Sequence, residues 1–433
     1  MIDESQHSTY TDDWRRTNPD LAFFLPPAPP DWAESVDHVL VSITPGGALL
    51  AIWTYCTKEH AADESIMVRR SEDGGRTWSG PDVLAGLGRY PGQVASFGFP
   101  VMSKGGRIYC FYNRSTGLGD SYVCAFLECK ISDDDGRTWA SSDVRIPYRN
   151  TRFDLPDPKA GRTCIVWQKP IRDAMDRVLV GYTEWSSPAA NRPNVLRRPD
   201  GTHKTYRHDC RCQFMRFDNI DDDPEPKDVQ ITWLPDDEEL ITVPLNFDPE
   251  APEGLSFCQE PSVVLLPDDR LFTVMRTRNG QIWYTVSDDH GHSWRETEML
   301  RYRDDGDPME NPVSPTPLFK LNDGRFIQLL QNHDGWGYGA LGTWDSNSSR
   351  RPQFLSLGEF RPNAHQPIWF SEPLLLFDTH QVGVPPFYNY WLSMYASLTE
   401  RNGERIFWYS DRKLFGLGKY ITDEMLSGLT VPA

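Results

Sequence analysis

The sequence has no long apolar run and no surplus of positive charge, and each absence excludes a class of protein. No stretch of about 18 apolar residues occurs, so we expect no transmembrane helix. Lys and Arg number 44 against 62 Asp and Glu, and the resulting net charge of −18 disfavours nucleic acid and anionic membranes as partners. The N-terminus lacks a basic start followed by an apolar core, so the sequence predicts a cytoplasmic protein.

Cofactor and metal motifs are also missing. The eight cysteines are scattered and form no pair of C-x-x-C motifs, which favours buried free thiols over a zinc site. The sequence contains no phosphate-binding loop, no dinucleotide fingerprint, no His-Glu-x-x-His and no calcium loop of EF-hand spacing. We therefore expect neither a metal nor a cofactor.

The residues that are abundant favour strands and turns. Aromatic residues make up 12% of the 433 residues, and Gly and Pro number 32 and 35. Aromatic residues are enriched in strands, and Gly and Pro in the turns that join them. The composition thus predicts an all-β fold.

One eight-residue motif, S-x-D-x-G-x-[ST]-W, occurs three times, each time after an apolar strand. It covers residues 71–78, 132–139 and 287–294. In such a turn the Asp carboxylate accepts hydrogen bonds from backbone amides, the Gly adopts an unusual φ, and the Trp packs back over the turn. The motif therefore predicts a hairpin turn that stabilises the fold, not a catalytic site.

A weaker repeat sets the number of structural units. A strand, a turn rich in Gly, Asp or Asn, and a second strand recur six times, at intervals of about 71 residues. An interval of this length accommodates one four-stranded antiparallel sheet with its loops. The sequence therefore predicts a six-bladed β-propeller as a single domain over residues 35–433, preceded by an N-terminal arm over 1–34.

The same repeat predicts which residues share the rim around the central axis. In each blade the first strand starts at this rim and the second strand ends at it. Polar residues at these strand ends are therefore expected to form a ligand pocket. The rim residues that bear suitable chemistry are Asp37, His38, Trp167, Glu184, Glu260, Arg276, His333 and Tyr395.

The motif turns, together with Glu260-Pro-Ser-Val-Val in blade four and Met394-Tyr395-Ala-Ser in blade six, resemble the sialidase superfamily of six-bladed propellers. The resemblance implies that Glu260 polarises a nucleophilic Tyr395 and that Arg276 holds a substrate carboxylate. It also implies that Asp63, in the loop before the first motif turn, is the general acid.

The sequence departs from this family at the arginine clamp. Sialidases bind the substrate carboxylate with three Arg, yet Asp37, beside His38, occupies the first of these positions. A carboxylate there repels a substrate carboxylate. The third clamp residue is not evident, since Arg350 and Arg351 lie in a Ser-rich loop. Ordinary sialic acid is therefore not the expected substrate.

A second arrangement uses two carboxylates. The superfamily also resembles exo-arabinanases, which use paired Glu residues on blades three and four, where Glu184 and Glu260 stand here. The sequence leaves open whether Tyr395 or Glu184 is the partner of Glu260. His333, Trp167 and Arg361 are expected to position the sugar.

The predicted function is an exo-acting glycoside hydrolase that removes a terminal sugar other than ordinary sialic acid, with a carbohydrate as its partner. Three alternatives remain: a sialidase proper, a polysaccharide lyase that acts on uronates, and a glycan-binding propeller without catalysis.

Overall fold

The computed structural model describes fourteen segments of the chain. They cover residues 13–26, 36–57, 61–86, 94–115, 124–142, 144–154, 162–186, 194–206, 209–236, 240–246, 248–251, 253–335, 350–384 and 389–433. The described chain begins with a 3₁₀ helix (Asp13–Thr17) and strand β1 (Leu21–Phe24).

Blades one and two follow in chain order. Blade one contains β2 (Val39–Ile43), β3 (Leu49–Tyr55), β4 (Ser65–Ser71) and β5 (Asp82–Ala85). Blade two contains β6 (Ala95–Met102), β7 (Ile108–Ser115) and β8 (Cys124–Ser132), and its outer edge is formed by the short strands β9 (Ala140–Ser141) and β10 (Ile146–Pro147).

Blade three is the most elaborate. Its inner edge is split between β11 (Arg162–Ile165) and β12 (Ile171–Arg172), both paired with β13 (Val178–Ser186). A separate hairpin, β14 (Asn194–Arg197) and β15 (His203–Tyr206), precedes β16 (Cys210–Phe217) and β17 (Ile231–Leu234). Two 3₁₀ helices, Ile220–Asp222 and Pro226–Asp228, lie between these last two strands.

Blades four and five return to a simpler pattern. Blade four contains β18 (Gln259–Leu265), β19 (Leu271–Arg276), β20 (Trp283–Ser287) and β21 (Glu298–Met299). Blade five contains β22 (Leu318–Lys320), β23 (Phe326–Leu330), β24 (Gln353–Phe360), β25 (Ile368–Phe370) and β26 (Leu374–Phe377).

Blade six is assembled from both ends of the chain. It contains β27 (Leu392–Arg401), β28 (Glu404–Asp411) and β29 (Phe415–Tyr420), and β1 pairs antiparallel with β29 as the fourth strand. A short α-helix, Asp423–Ser427, follows. The N-terminal segment, predicted as an arm, thus supplies one strand to the sheet. The predicted all-β, six-bladed propeller with four-stranded antiparallel blades is confirmed.

Apolar side chains fill the space between successive blades. Leu50 and Ile66 of blade one pack with Ile108 of blade two, for example, in one buried cluster. Similar clusters join blades two and three, three and four, four and five, five and six, and six and one. Because each blade is apolar on both faces, stacking around an axis buries surface that a single sheet exposes.

The three motif turns make the same hydrogen bonds. In the first, Asp73 Oδ1 accepts from the Thr77 amide at 2.8 Å and Oδ2 from the Thr77 hydroxyl at 2.6 Å, while Gly75 N donates to Ser71 Oγ at 2.8 Å. The turns at Asp134 and Asp289 repeat this pattern. These donors favour the carboxylate and lower the pKa of Asp73 to about 2.

The tryptophan of each motif turn packs towards the preceding blade. Trp78 meets Trp408 of blade six edge to face at 5.6 Å, and Trp294 stacks on Phe214 of blade three at 4.9 Å. Trp139 packs against the cluster between blades one and two. The turn therefore fixes the junction between two blades as well as its own hairpin.

This packing makes Gly75 a sensitive position. Gly75 has φ +91°, and a Cβ there would lie 2.5 Å from Cη2 of the buried Trp408. We expect Gly75→Ala to lower the free energy of unfolding by at least about 3 kcal/mol, since left-handed strain adds to overpacking. Urea denaturation measures this loss.

Gly324→Ala is the matched control. Gly324 has φ +90°, but nothing lies within 4 Å of the added Cβ, so this variant carries the backbone strain alone. A loss in Gly75→Ala no larger than in Gly324→Ala would show that contact with Trp408 is not limiting.

Candidate functional site

Irregular inner strands bring four side chains to the central axis. The strand register shifts between Ser96 and Phe99, between Gln259 and Ser262, and between Ser393 and Ser397, and in blade three the inner edge is broken between β11 and β12. The residues within these irregularities are Phe97, Glu260, Tyr395 and Trp167. Bulges commonly redirect a side chain next to a functional site, and they do so here in four blades.

Two of these residues have left-handed backbones that the neighbouring blade supports. Phe97 has φ 53° and Glu260 has φ 55°. The Phe97 amide donates to Thr54 Oγ1 at 3.0 Å, and the Glu260 amide donates to Thr183 Oγ1 at 2.6 Å. Each Thr lies at the rim end of the preceding blade's second strand. Strain at a buried, non-glycine carboxylate marks Glu260 as a functional candidate.

Glu260, Arg276 and Tyr395 meet on the axis. Arg276 Nη1 donates to Glu260 Oε1 at 2.5 Å and reaches Tyr395 Oη at 3.5 Å. Glu260 and Tyr395 are each only 2% exposed. Burial opposes the charge on Arg276, but the carboxylate of Glu260 outweighs it and holds the pKa of Arg276 above its ordinary value. The structure therefore brings together three residues that the sequence singled out.

Tyr395 lies between an aromatic ring and several cations. Its ring stacks on Trp167 with centroids 3.9 Å apart, and Arg350 and Lys413 lie 6.0 and 5.9 Å from the ring centroid. Burial, followed by the charge of Glu260, raises the pKa of Tyr395 to about 12, while the cations act in the opposite direction. The phenol is therefore protonated at neutral pH and needs a base to become a nucleophile.

His38 belongs to the aromatic group beneath this site. Its ring meets Phe97 and Trp167 edge to face, at 6.1 and 5.7 Å between centroids. Burial lowers the pKa of His38 to about 3, so the ring is neutral at physiological pH. His38 therefore packs the floor of the site, and we assign it no charge in substrate binding.

Asp37 forms a buried ion pair that the sequence did not indicate. Lys413 Nζ lies 2.7 Å from Asp37 Oδ1, and both side chains are almost fully buried. The expected repulsion of a substrate carboxylate by Asp37 is therefore offset by Lys413. The strand repeat does not predict Lys413, because this residue lies two positions after the end of β28 at Asp411. It belongs to a turn in which Arg412 and Lys413 both have positive φ. The charged sequence Asp411-Arg412-Lys413 after a buried strand was the available signal.

His333 holds the segment that carries Arg350. His333 Nδ1 accepts from the Gly335 amide at 2.9 Å, so Nε2 carries the proton and donates to the Arg351 carbonyl oxygen at 2.8 Å. Arg351 in turn forms an ion pair with Asp378. Arg350, left aside on sequence grounds, thus approaches Tyr395 from a fixed chain segment, and His333 positions this segment.

Glu184 lies on a different face of its strand from the group around Glu260. Neighbouring residues on a strand point to opposite faces, and Thr183 is the residue that contacts the Glu260 amide. Glu184 Oε2 accepts from Gln213 at 2.5 Å, and Gln213 also bonds Tyr182 and Arg149. Glu184 therefore joins a polar network on the side of blade two.

The two remaining candidates, Asp63 and Arg361, lie at opposite ends of their blades. Asp63 accepts two hydrogen bonds from the Thr57 amide, at 3.2 and 3.1 Å, in the loop between β3 and β4 at the rim end. The structure does not bring Arg361 to the site. Arg361 follows β24 at the opposite end of blade five, where it contacts Glu359 and the Pro432 carbonyl. The expectation that Arg361 positions the sugar is therefore wrong, because β24 runs away from the rim and carries Arg361 to the other end of the blade.

Within the described segments, no group of three or more His, Cys, Asp or Glu is arranged to hold a metal ion. In the same part of the chain, no helix has the length and apolar content needed to cross a membrane. What the described site offers chemically is a carboxylate base, a buried phenol and nearby cations.

Similar folds come from solved sialidases. The NanB sialidase of Streptococcus pneumoniae matches 95% of this chain and 71% of its own with a TM-score of 0.59 and 12% identity. The intramolecular trans-sialidase of Ruminococcus gnavus matches 91% of this chain and 96% of its own, with a TM-score of 0.55 and 12% identity. A Hadza microbial sialidase matches 92% and 67%, with a TM-score of 0.56 and 14% identity. At this identity the likeness shows the fold.

A sequence-family comparison extends this result. No curated protein matches the chain. The family model described as a BNR repeat-like domain matches residues 47–385, which is most of the propeller and includes the three motif turns and Glu260. The chain therefore belongs to the BNR repeat-like family, and its six-bladed propeller is similar in fold to the solved sialidases.

Proposed function

We propose that this protein is an exo-acting glycoside hydrolase that removes a terminal sugar from a glycan or glycoside. The observation that carries the proposal is the contact of one Arg276 nitrogen with both Glu260 and Tyr395 on the propeller axis. A base, a nucleophile and a cation within one buried group meet the needs of nucleophilic displacement at a sugar carbon.

The proposed reaction has two steps. Glu260 removes the phenolic proton as Tyr395 attacks the anomeric carbon, and a carboxylic acid protonates the departing oxygen; we assign this acid to Asp63. Water then displaces Tyr395: the carboxylate of Asp63 takes a proton from the attacking water, and Glu260 returns its proton to the Tyr395 oxygen as the bond from that oxygen to the anomeric carbon breaks. Two displacements retain the configuration at the anomeric carbon. The pKa of about 12 for Tyr395 supports transfer of the proton during attack rather than a standing phenolate.

The charges around Tyr395 support a sugar other than ordinary sialic acid. A three-arginine clamp leaves all three guanidinium groups for the substrate, whereas here the blade-one position holds Asp37, which is paired with Lys413. Arg276 and Arg350 remain beside Tyr395. We therefore propose a substrate that places fewer anionic oxygens in this part of the site.

A screen of aryl glycosides and oligosaccharides tests the proposal, with products identified by mass. Release of a non-sialic sugar with retained configuration is the expected result. Release of sialic acid alone would instead make the protein a sialidase proper. Binding without turnover of any substrate would contradict the hydrolase assignment and leave a glycan-binding propeller.

A lyase is the second candidate, and the cations beside Tyr395 are the observation that favours it. Arg350 and Lys413 near the phenol ring would stabilise a uronate carboxylate while Tyr395, after giving its own proton to Glu260, abstracts the proton beside that carboxylate and the bond to the leaving oxygen breaks. This reaction gives an unsaturated product that absorbs in the near ultraviolet, which the same screen detects.

The choice between Tyr395 and Glu184 as partner of Glu260 gives a direct prediction. We expect Tyr395→Phe to lower kcat by about 10³-fold or more, because the nucleophilic oxygen is lost, whereas Glu184→Gln keeps kcat within about tenfold. Steady-state kinetics on the best substrate from the screen measure both. The reverse order of effects would assign the reaction to the pair of carboxylates.

A further inference from the structure

A second cavity lies on the axis at the end opposite the candidate site. It has a volume of about 440 Å³, and its wall includes Ile43, Leu265, Leu318 and Leu398. These residues lie on the inner strands, near the hairpin turn that joins the first and second strands of each blade. Along the chain, Ile43, Leu265 and Leu398 come several residues after Asp37, Glu260 and Tyr395 respectively. The stacked pair of Trp167 and Tyr395 therefore lies between the two sites. A cavity of this size is within the range that binds small molecules.

Two lysines line this cavity without a carboxylate partner among the described residues. Lys169 Nζ donates to the Leu398 carbonyl at 3.3 Å, and Lys320 Nζ donates to the Leu265 carbonyl at 2.8 Å. Burial lowers the pKa of Lys169 to about 8, and it also lowers the pKa of the more exposed Lys320. An ammonium has three donors, so each of these lysines can donate further hydrogen bonds.

A third donor is next to Lys169 in the chain. Gln168 lines the same cavity and is only 5% exposed, and its Nε2 has no hydrogen-bond partner in the described structure. A buried amide nitrogen without a partner is costly, so a ligand that accepts from it gains that free energy.

The other charged groups of the cavity are already paired. Arg172 forms an ion pair with Asp221, and Glu400 binds Arg405 and the Asn322 amide. Lys169 and Lys320 thus give the cavity positive charge that no ion pair within the described segments neutralises, although Asp269 acts on Lys320 from outside the cavity wall. The chain as a whole has a net charge of −18. The rest of the wall is largely aliphatic and includes Val263, Val264 and Leu318.

We propose that this cavity binds a small aliphatic carboxylate, whose head accepts hydrogen bonds from Lys169, Lys320 and Gln168 and whose tail lies against the aliphatic wall. A carboxylate carries one charge and four acceptor positions, which suits two ammonium groups and one amide. The site is separate from the proposed glycosidase site and does not depend on that proposal.

Isothermal titration calorimetry with sodium hexanoate tests the site, with inorganic phosphate as a comparison. Hexanoate is expected to bind wild type, and Lys169→Met and Lys320→Met are each expected to weaken binding by about tenfold or more. Lys169→Arg retains the charge and should restore much of the affinity. Thermal unfolding of each variant shows that the fold is intact.

Lys419→Met is the matched control. Lys419 Nζ also donates to a backbone carbonyl, that of Asn18, but on β29 outside the cavity, so hexanoate affinity should not change. Hexanoate affinity should also fall as the pH rises through about 8, because the pKa of Lys169 is about 8 and its charge is lost there. The other charged groups that line the cavity are Arg172, Lys320 and Glu400.

Three results would overturn the assignment. They are the absence of hexanoate binding at tens of millimolar, equal binding by wild type and Lys169→Met, and tighter binding of phosphate than of hexanoate. Each readout is a binding measurement, so failure of the glycosidase proposal leaves this test unaffected.

Discussion

Glu260→Gln is expected to lower kcat by about 10³-fold while leaving the fold intact. Gln has nearly the shape of Glu and keeps an oxygen for Arg276, but it cannot take the phenolic proton of Tyr395. Loss of the carboxylate also removes the negative charge that pairs with Arg276 at 2.5 Å. Steady-state kinetics on a substrate from the glycoside screen measure the loss, and thermal unfolding checks the fold.

The control for this variant is Glu298→Gln. Glu298 is an exposed Glu on β21, paired with His365 rather than with an axial residue. We expect it to retain wild-type turnover. Turnover near the wild-type value in Glu260→Gln itself would remove Glu260 from the mechanism, whatever role Tyr395 has.

Arg412→Met should give the largest loss of stability. Arg412 is 1% exposed and bonds both oxygens of Asp411, as well as the carboxylate and carbonyl of Asp13. Met fills much of the volume but removes the cation that pairs with the buried Asp411, and it leaves Asp13 paired with Arg16. Removal of one partner from a buried ion pair costs about 3–5 kcal/mol, and denaturant unfolding measures the change.

A surface ion pair supplies the comparison. Arg76 and Glu404 are about half exposed and lie 2.8 Å apart, so Arg76→Met should change the free energy of unfolding far less than Arg412→Met does. Similar losses in the two variants would mean that the Asp13–Arg412–Asp411 group does not hold the N-terminal segment on blade six.

The repeats were sufficient to predict the propeller because each blade uses the same local chemistry. The spacing of the turns predicts the strands, and counting from each turn predicts the rim residues, so the sequence alone identifies Glu260, Arg276 and Tyr395. Their proximity follows from the blade pattern, since equivalent strand positions in a propeller meet at the axis.

The features that the sequence did not reveal occur where the structure departs from the blade repeat. Glu260 and Phe97 adopt positive φ although neither is Gly, and supporting hydroxyls from the preceding blade make this possible. Lys413 reaches the site from a tight turn, and β1 pairs with a strand nearly 400 residues away in the chain. Such long-range contacts leave no local signal, because loop closure rather than strand propensity decides them.

The pairing of β1 with β29 has a consequence for handling the protein. If residues up to Phe24 are trimmed by a protease or omitted from an expression plasmid, the backbone groups of β29 that pair with β1 become an open sheet edge. Unpaired edges recruit strands from other chains, so the trimmed protein is expected to aggregate or to exchange strands between copies. An affinity tag is therefore better placed after Ala433 than in place of the first strand.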